Sequence, residues 1–444
     1  MTLAHRRIIY SIFIVAFLVI LPLIILHSTG YRFNSKKSIL QKTGIIFLES
    51  KPKDVDIFIN GKIVENRSPV RIKNLLPNKY DIRISKEGYM DWQKRVDVYD
   101  GQTTFLQYVR LFKDNGQPGA LISGDILEMQ KGKNDNALLL KELRDGYELA
   151  LYDFESNEEL IIFESNVELS SFKFVENDNK VLVRTGGDYW LIDTAEPEER
   201  VYLNDKIGES FENLKLDEFN SNFIFYQSLG QLKRLNLSDD SIYELEFYPI
   251  DYLVRGDEFY LLTEDSLNSI FLKKFRLADS TQPEVLLSLS TDSDYKLEYA
   301  DDSFVLIFND DRLIVLDQEE KSKEVIAGVD YYEWNGSKTE FLFGNDFELW
   351  SYRPYEEYDK YILFTRTGED IKMACWYKPD THLFFVADNN IKVIENLVSD
   401  RVVNEIIGTD RIDFAAANKK GDKLYFVGQV GGDNGLFEIQ ILDD

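Results

Sequence analysis

The sequence predicts an all-β protein with one N-terminal transmembrane helix, in which a small β-sandwich is followed by a β-propeller. Three observations predict this. Ile8 to Leu26 is an unbroken apolar run, residues 44–113 alternate strictly between apolar and polar, and from Ala120 onward apolar runs recur with a period near 40. Outside the first run, apolar residues come in bursts of three to seven between turn residues, and no long 3.6-period stretch occurs. Abundant Tyr (25) and Phe (30) with few Met (4) suit pleated, half-buried surfaces.

Ile8 to Leu26 holds nineteen residues without a charge, and only Tyr10, Ser11 and Pro22 fall outside the aliphatic and aromatic set. At about 1.5 Å per residue it reaches about 28 Å, close to the roughly 30 Å hydrocarbon core. It reads as an uncleaved signal-anchor in residues 1–27. A cleaved signal has a shorter apolar region and a small-x-small site, which His27-Ser28-Thr29-Gly30-Tyr31 does not supply. No cysteine follows the run until Cys375, so lipid attachment at the N-terminus is not expected. Arg6 and Arg7 favour a cytoplasmic N-terminus and an extracytoplasmic C-terminal part. Arg32, Lys36 and Lys37 lie near the other end, which keeps a cytoplasmic propeller open as the alternative.

Charge is uneven along the chain. Residues 1–43 carry six basic side chains and no acid, and residues 44–113 carry 13 basic and 9 acidic ones. Residues 114–444 hold 32 basic and 69 acidic residues, a net −37. A surface of that sign repels phosphate backbones, so nucleic acid is not an expected partner. Solubility and mutual repulsion account for it without any ligand.

Residues 28–43 are polar and basic apart from Ile39 and Leu40 and read as a short stalk at the headgroups. Strands with one buried face follow. Tyr80, Ile82 and Ile84 oppose Asp81, Arg83 and Ser85, Val70 and Ile72 alternate with Arg71 and Lys73, and Val96 and Val98 with Arg95 and Asp97. Asn60-Gly61, Pro77-Asn78 and Glu87-Gly88 mark the turns. Six or seven short strands within 44–113 make a sandwich.

Over Gly44 to Phe112 these residues resemble the PEGA domain of bacterial and archaeal envelope proteins. The resemblance rests on the strand Gly44 to Ser50, on Pro52-Lys53-Asp54-Val55 at the eponymous tetrad, on Asp56 to Gly61, on Ser68-Pro69-Val70, on Leu76-Pro77-Asn78-Lys79-Tyr80 and on Lys86-Glu87-Gly88-Tyr89. Only Pro52 of the tetrad is literal, and Asn78 stands where the family has glycine. It implies an extracytoplasmic β-sandwich, often beside a membrane span, and no enzyme activity.

In residues 114–444 the period is read from the third run of each unit. These are Glu148 to Phe154, Tyr189 to Asp193, Leu232 to Leu237, Phe271 to Arg276, Arg312 to Asp317, Glu348 to Tyr352, Ile391 to Glu395 and Leu436 to Leu442. Their starts are 36 to 45 residues apart, giving eight units of blade size, with seven open because the first is the least regular. An aromatic, a tight polar turn and a resumed apolar strand recur at Phe174 to Val181, Trp334 to Phe341, Trp376 to Leu383 and Phe414 to Leu424. These hairpins resemble the first and second strands of WD40-like and TolB-like blades. The last unit stops after its third strand, so its fourth is expected from Ala120 to Ser123.

Motifs for chemistry are scarce. Of three histidines, His5 and His27 flank the span, and His382 reads as a solvated turn residue in Lys378 to His382. No G-x-S-x-G elbow and no phosphate-binding G-x-x-x-x-G-K-[ST] loop occurs, and Gly186-Gly187 reads as a hairpin turn. Asp292 and Asp294, Asp301 and Asp302, Asp310 and Asp311, and Gly431 to Gly435 lack calcium-loop spacing and suit ordinary turns. No catalytic residue, cofactor site or metal site is expected. Cys375, alone in an apolar run, reads as a small core residue. The densest aromatic cluster, Tyr331, Tyr332, Trp334, Trp350, Tyr352, Tyr355 and Tyr358, is either blade core or a ligand platform for glycan or peptide.

Together these features lead to the expectation of a single-pass cell-envelope binding or scaffolding protein. It would contact membrane lipid through Ile8 to Leu26, and envelope proteins or glycans through the propeller. The alternative is a propeller hydrolase or lyase acting on an envelope substrate.

Overall fold

The computed structural model describes residues 3–443 apart from 35–37, 115, 133–134, 176–177, 218, 278–282, 292, 378–379 and 398–399. Lys36, Lys37, Glu176, Asn177, Asp292, Lys378 and Pro379 therefore lie outside the described residues. Leu3–Ser28 forms one helix, α1, and none of its apolar window is covered by the rest of the protein. Ile12, Phe13 and Leu18 are all more than half exposed. Arg7–Ser28 is long and apolar enough to cross a membrane.

Within the stretch expected as a stalk, residues 28–43, two short strands pair. Tyr31–Asn34 pairs antiparallel with Ile39–Lys42, with Phe33 opposite Leu40 and Tyr31 opposite Lys42. Its base is closed by the Thr43 amide and hydroxyl, both donating to the Gly30 carbonyl at 2.8 Å.

The sandwich follows directly. Gly44–Lys51 is central in a three-stranded sheet, antiparallel to Val70–Leu75 and parallel to Thr103–Arg110. The facing sheet runs in the order Lys62–Glu65, Asp56–Ile59, Asn78–Ser85 and Trp92–Val98. Ile46, Leu48, Ile57, Ile82 and Ile84 from both inner faces are fully buried, as the alternation requires. Asn60 and Gly61 both take positive φ, and this two-residue turn sets Ile59 opposite Lys62.

Beyond it, the described residues form eight consecutive four-stranded antiparallel sheets between Gly119 and Gln440. Each of the eight marker runs is the third strand of its sheet. The last sheet is completed by Gly119–Ser123, which pairs with Asp433–Gln440 and sets Ala120 opposite Phe437 and Ser123 opposite Gly435. Apolar clusters join each sheet to the next, and one joins Ile126, Met129 and Leu139 of the first to Tyr425, Val427 and Leu436 of the last. A chain of sheets whose first and last members share a core is a closed ring, the arrangement of a β-propeller.

Polar groups lock neighbouring sheets at offsets near 40 residues. Tyr377 donates to the Gly421 carbonyl at 2.6 Å, Trp376 to Glu333 at 3.0 Å, and Tyr425 reaches across the closure to Phe154 at 2.9 Å. Tight turns are built alike at two hairpins. Asn335 Oδ1 accepts the Thr339 and Glu340 amides, and Asn418 Oδ1 accepts those of Gly421, Asp422 and Lys423.

Candidate functional site

Three places hold the candidate chemistry: the junction between sandwich and propeller, the channel wall, and the aromatic cluster.

At the junction the sandwich core runs without a break into the seventh and eighth sheets. Phe112, at the end of the sandwich, meets the rings of Tyr377, His382 and Phe384 edge to face at 5.6 to 6.0 Å. Trp92 donates its indole N–H to Glu395, whose other oxygen takes Lys94 at 3.3 Å and the Val402 amide at 3.0 Å. Lys113 and Tyr89 both reach Asp443 at 2.5 Å, and the Lys113 amide donates to the Ile441 carbonyl. Burial, then the hydrogen bond to Asp443, pushes the Tyr89 hydroxyl up to about 12.

His382 was expected in a solvated turn; it opens the strand His382–Ala387 and is 3% exposed. Burial and then the Arg110 charge push its imidazole down to about 3, so it stays neutral at ordinary pH. The turn reading failed because nothing local to the sequence shows that Phe112 will cover this strand end.

The channel wall is made by the first strands of successive sheets. A cavity of about 990 Å³ is bounded there by Lys173, Glu212, Lys215, Asp251, Lys296 and Glu298, among others. Asp251 is 8% exposed and takes Lys215 Nζ at 2.6 Å, Asn213 Nδ2 at 3.0 Å and the Leu297 amide at 2.7 Å, which ties three sheets together. Glu212, Lys296 and Glu298 are exposed. Sequence reasoning did not find this wall, although Lys and Glu at the channel-side strand of several units are its signature.

The aromatic cluster is spread across the sixth sheet rather than gathered on one face. Tyr331, Tyr332 and Trp334 lie half-buried on its first strand, and half-buried Trp350 and fully buried Tyr352 on its third. Phe341 sits among them, 4.9 Å from Trp334, 5.2 Å from Tyr352 and 6.2 Å from Tyr332 between ring centroids. Burial, and then the Glu298 carboxylate, raise the Tyr332 hydroxyl. Tyr355 and Tyr358 lie in the connection to the outer strand and are 55% and 76% exposed; Tyr355 rests on Phe304 at 5.0 Å. Cys375 is half-buried beside the Ala415 carbonyl, and burial pushes its thiol up to about 12. Among the described residues no group of three or more His, Cys, Asp or Glu is placed to hold a metal ion.

The PEGA domain family model matches residues 43–111. No curated protein matches the chain. Among solved structures, the C-terminal WD40 domain of Sif2 is 12% identical and covers 73% of this chain and 99% of that one, with a TM-score of 0.47. The Dos1 propeller is 12% identical over 73% and 94%, with a TM-score of 0.46. The WD40 domain of SCAP from fission yeast is 10% identical over 73% and 98%, with a TM-score of 0.42. The closed ring is established by this chain's own sheets and cores, and residues 43–111 by the family match: the chain carries a PEGA domain followed by a β-propeller.

Proposed function

We propose that this protein is a membrane-tethered interaction platform, with α1 as a single-pass anchor and an eight-bladed propeller held on the extracytoplasmic side for a protein or glycan partner. The observation that carries the reading is the shared core between the sandwich and two sheets of the propeller. A spacer that hung freely would leave the propeller mobile, whereas this one holds it in a fixed pose above the anchor. The exposed charges at the channel mouth and the exposed Tyr355 and Tyr358 are the surfaces offered to a partner. The hydrolase or lyase alternative would draw on the channel carboxylates, but Asp251 is buried and accepts three donors that also hold sheets together.

The test is protease treatment of intact cells carrying a C-terminal epitope tag, followed by crosslinking and capture. Loss of the tag without permeabilisation supports the extracytoplasmic pose. A tag that survives until the membrane is opened makes the propeller cytoplasmic and overturns that part of the reading.

A further inference from the structure

We propose that the paired strands Tyr31–Asn34 and Ile39–Lys42 form an interfacial foot that lies against an anionic lipid surface, with Phe33 and Leu40 among the headgroups. This inference rests on the reading of α1 as a membrane anchor. A two-stranded ribbon is marginal in water, and this one leaves its large apolar side chains uncovered. Phe33 is 64% exposed and Leu40 47%, and because the two are register partners they stand side by side on one face. Ile39, near the same end of the ribbon, is 46% exposed. Tyr31 and Lys42 occupy that face nearer the base, an aromatic and a cation of the kind that settles at headgroup level.

The occupant is set by what adjoins the ribbon. Only Thr29 and Gly30 separate it from α1, so at about 3.5 Å per residue it begins within about 10 Å of the helix end. The helix end is closed by this same segment. Ser28 and Thr29 hydroxyls donate to the Ile25 carbonyl, and Arg32 Nη1 donates to the His27 carbonyl at 2.9 Å. Arg32 Nη2 reaches Asn74 Oδ1 of the sandwich, also at 2.9 Å. Helix, ribbon and sandwich therefore meet at one guanidinium, and an anchor that crosses the bilayer brings the Phe33 and Leu40 face to the headgroups. Residues 28–43, on the ribbon's side of the anchor, carry basic residues and no acid, which selects anionic lipid.

The experiment uses the full chain with Cys375→Ala and single cysteines at Phe33, Leu40, Val15 in α1, or Tyr358 on the propeller. Each is labelled with a polarity-sensitive fluorophore and reconstituted into phosphatidylcholine vesicles with or without phosphatidylglycerol. Lipid-borne nitroxides and aqueous iodide serve as quenchers. The expected result is a blue shift and strong quenching by shallow nitroxides at 33 and 40, greater with phosphatidylglycerol, and none at 358. Quenching at 15 by deep nitroxides with iodide-accessible probes at 33 and 40 overturns the foot and leaves the anchor standing. Probes at 33 and 40 shielded from both quenchers mean a protein covers them and overturn the lipid assignment, as equal quenching in both lipid mixtures overturns its anionic character. An unquenched probe at 15 overturns the anchor itself.

Discussion

The indole N–H of Trp92 donates to Oε1 of Glu395 at 2.7 Å, joining two residues 303 positions apart across the sandwich–propeller junction. Trp92 is 2% exposed and Glu395 5%, so the bond lies in a dry setting. A hydrogen bond to a charged acceptor contributes about 1.5 to 3 kcal/mol. Trp92→Phe keeps an aromatic ring but removes the donor and leaves a cavity where the pyrrole ring stood, so the expected loss is at least of that size in denaturant unfolding of the full chain in detergent. An unchanged midpoint would show that Lys94 and the Val402 amide satisfy the carboxylate alone.

The junction also has a pH signature. His382 is held neutral to about 3 in the folded state, against 6.5 as its ordinary value. Below 6.5 the unfolded chain takes up a proton that the folded one refuses, so stability falls as pH drops from about 6.5 toward 3, by up to about 1.4 kcal/mol per pH unit. Stability measured against pH should therefore be steeper in the parent than in His382→Gln between pH 6.5 and 4. Parallel curves for the two would mean that the imidazole becomes protonated in place.

Ring closure depends on close approach. A Cβ at Gly435 would stand 2.1 Å from the Ile122 carbonyl oxygen, on the strand that completes the last sheet. Backbone cannot yield as a side-chain tip does, so Gly435→Ala should free Gly119–Ser123 at a cost of about 1 to 3 kcal/mol or more. Limited proteolysis should then cut near residue 120. Gly187→Ala, where a Cβ meets open space, should stay within about 0.5 kcal/mol of the parent and resist cleavage there.

The strands were legible where one face is buried and the period is regular. Tyr80 to Ser85 alternates because its neighbours across the sandwich are apolar, and the eight third-strand runs stand out because those strands are short and bounded by turns. The ribbon at Tyr31–Lys42 was not legible, since four-residue strands carry too little pattern and its exposed Phe33 and Leu40 mimic no core. His382 and Glu395 were read from their own blade alone. Their surroundings come from Phe112 and Trp92, about 270 to 303 residues away, and no local pattern encodes such a contact. The aromatic cluster was visible as composition, but whether an aromatic faces a core or solvent depends on which strand of the blade it occupies.

That last distinction gives a prediction that separates packing from binding. Tyr352 is 2% exposed and packs on Phe341 and Tyr361, at 5.2 and 5.0 Å. Removing a buried aromatic costs about 3 to 5 kcal/mol, so Tyr352→Ala should lower the unfolding midpoint sharply. Tyr358, 76% exposed, should cost less than about 0.5 kcal/mol when replaced by alanine. Lys296, exposed at the channel mouth, should tolerate Lys296→Glu equally well. Partner capture from crosslinked membranes then reads the surface in use. Capture lost in Tyr358→Ala alone assigns the outer rim of the sixth sheet, and capture lost in Lys296→Glu alone assigns the channel. Capture retained in both stable variants, and lost only in the unstable Tyr352→Ala, removes both surfaces from the interaction and leaves the aromatic cluster as blade core.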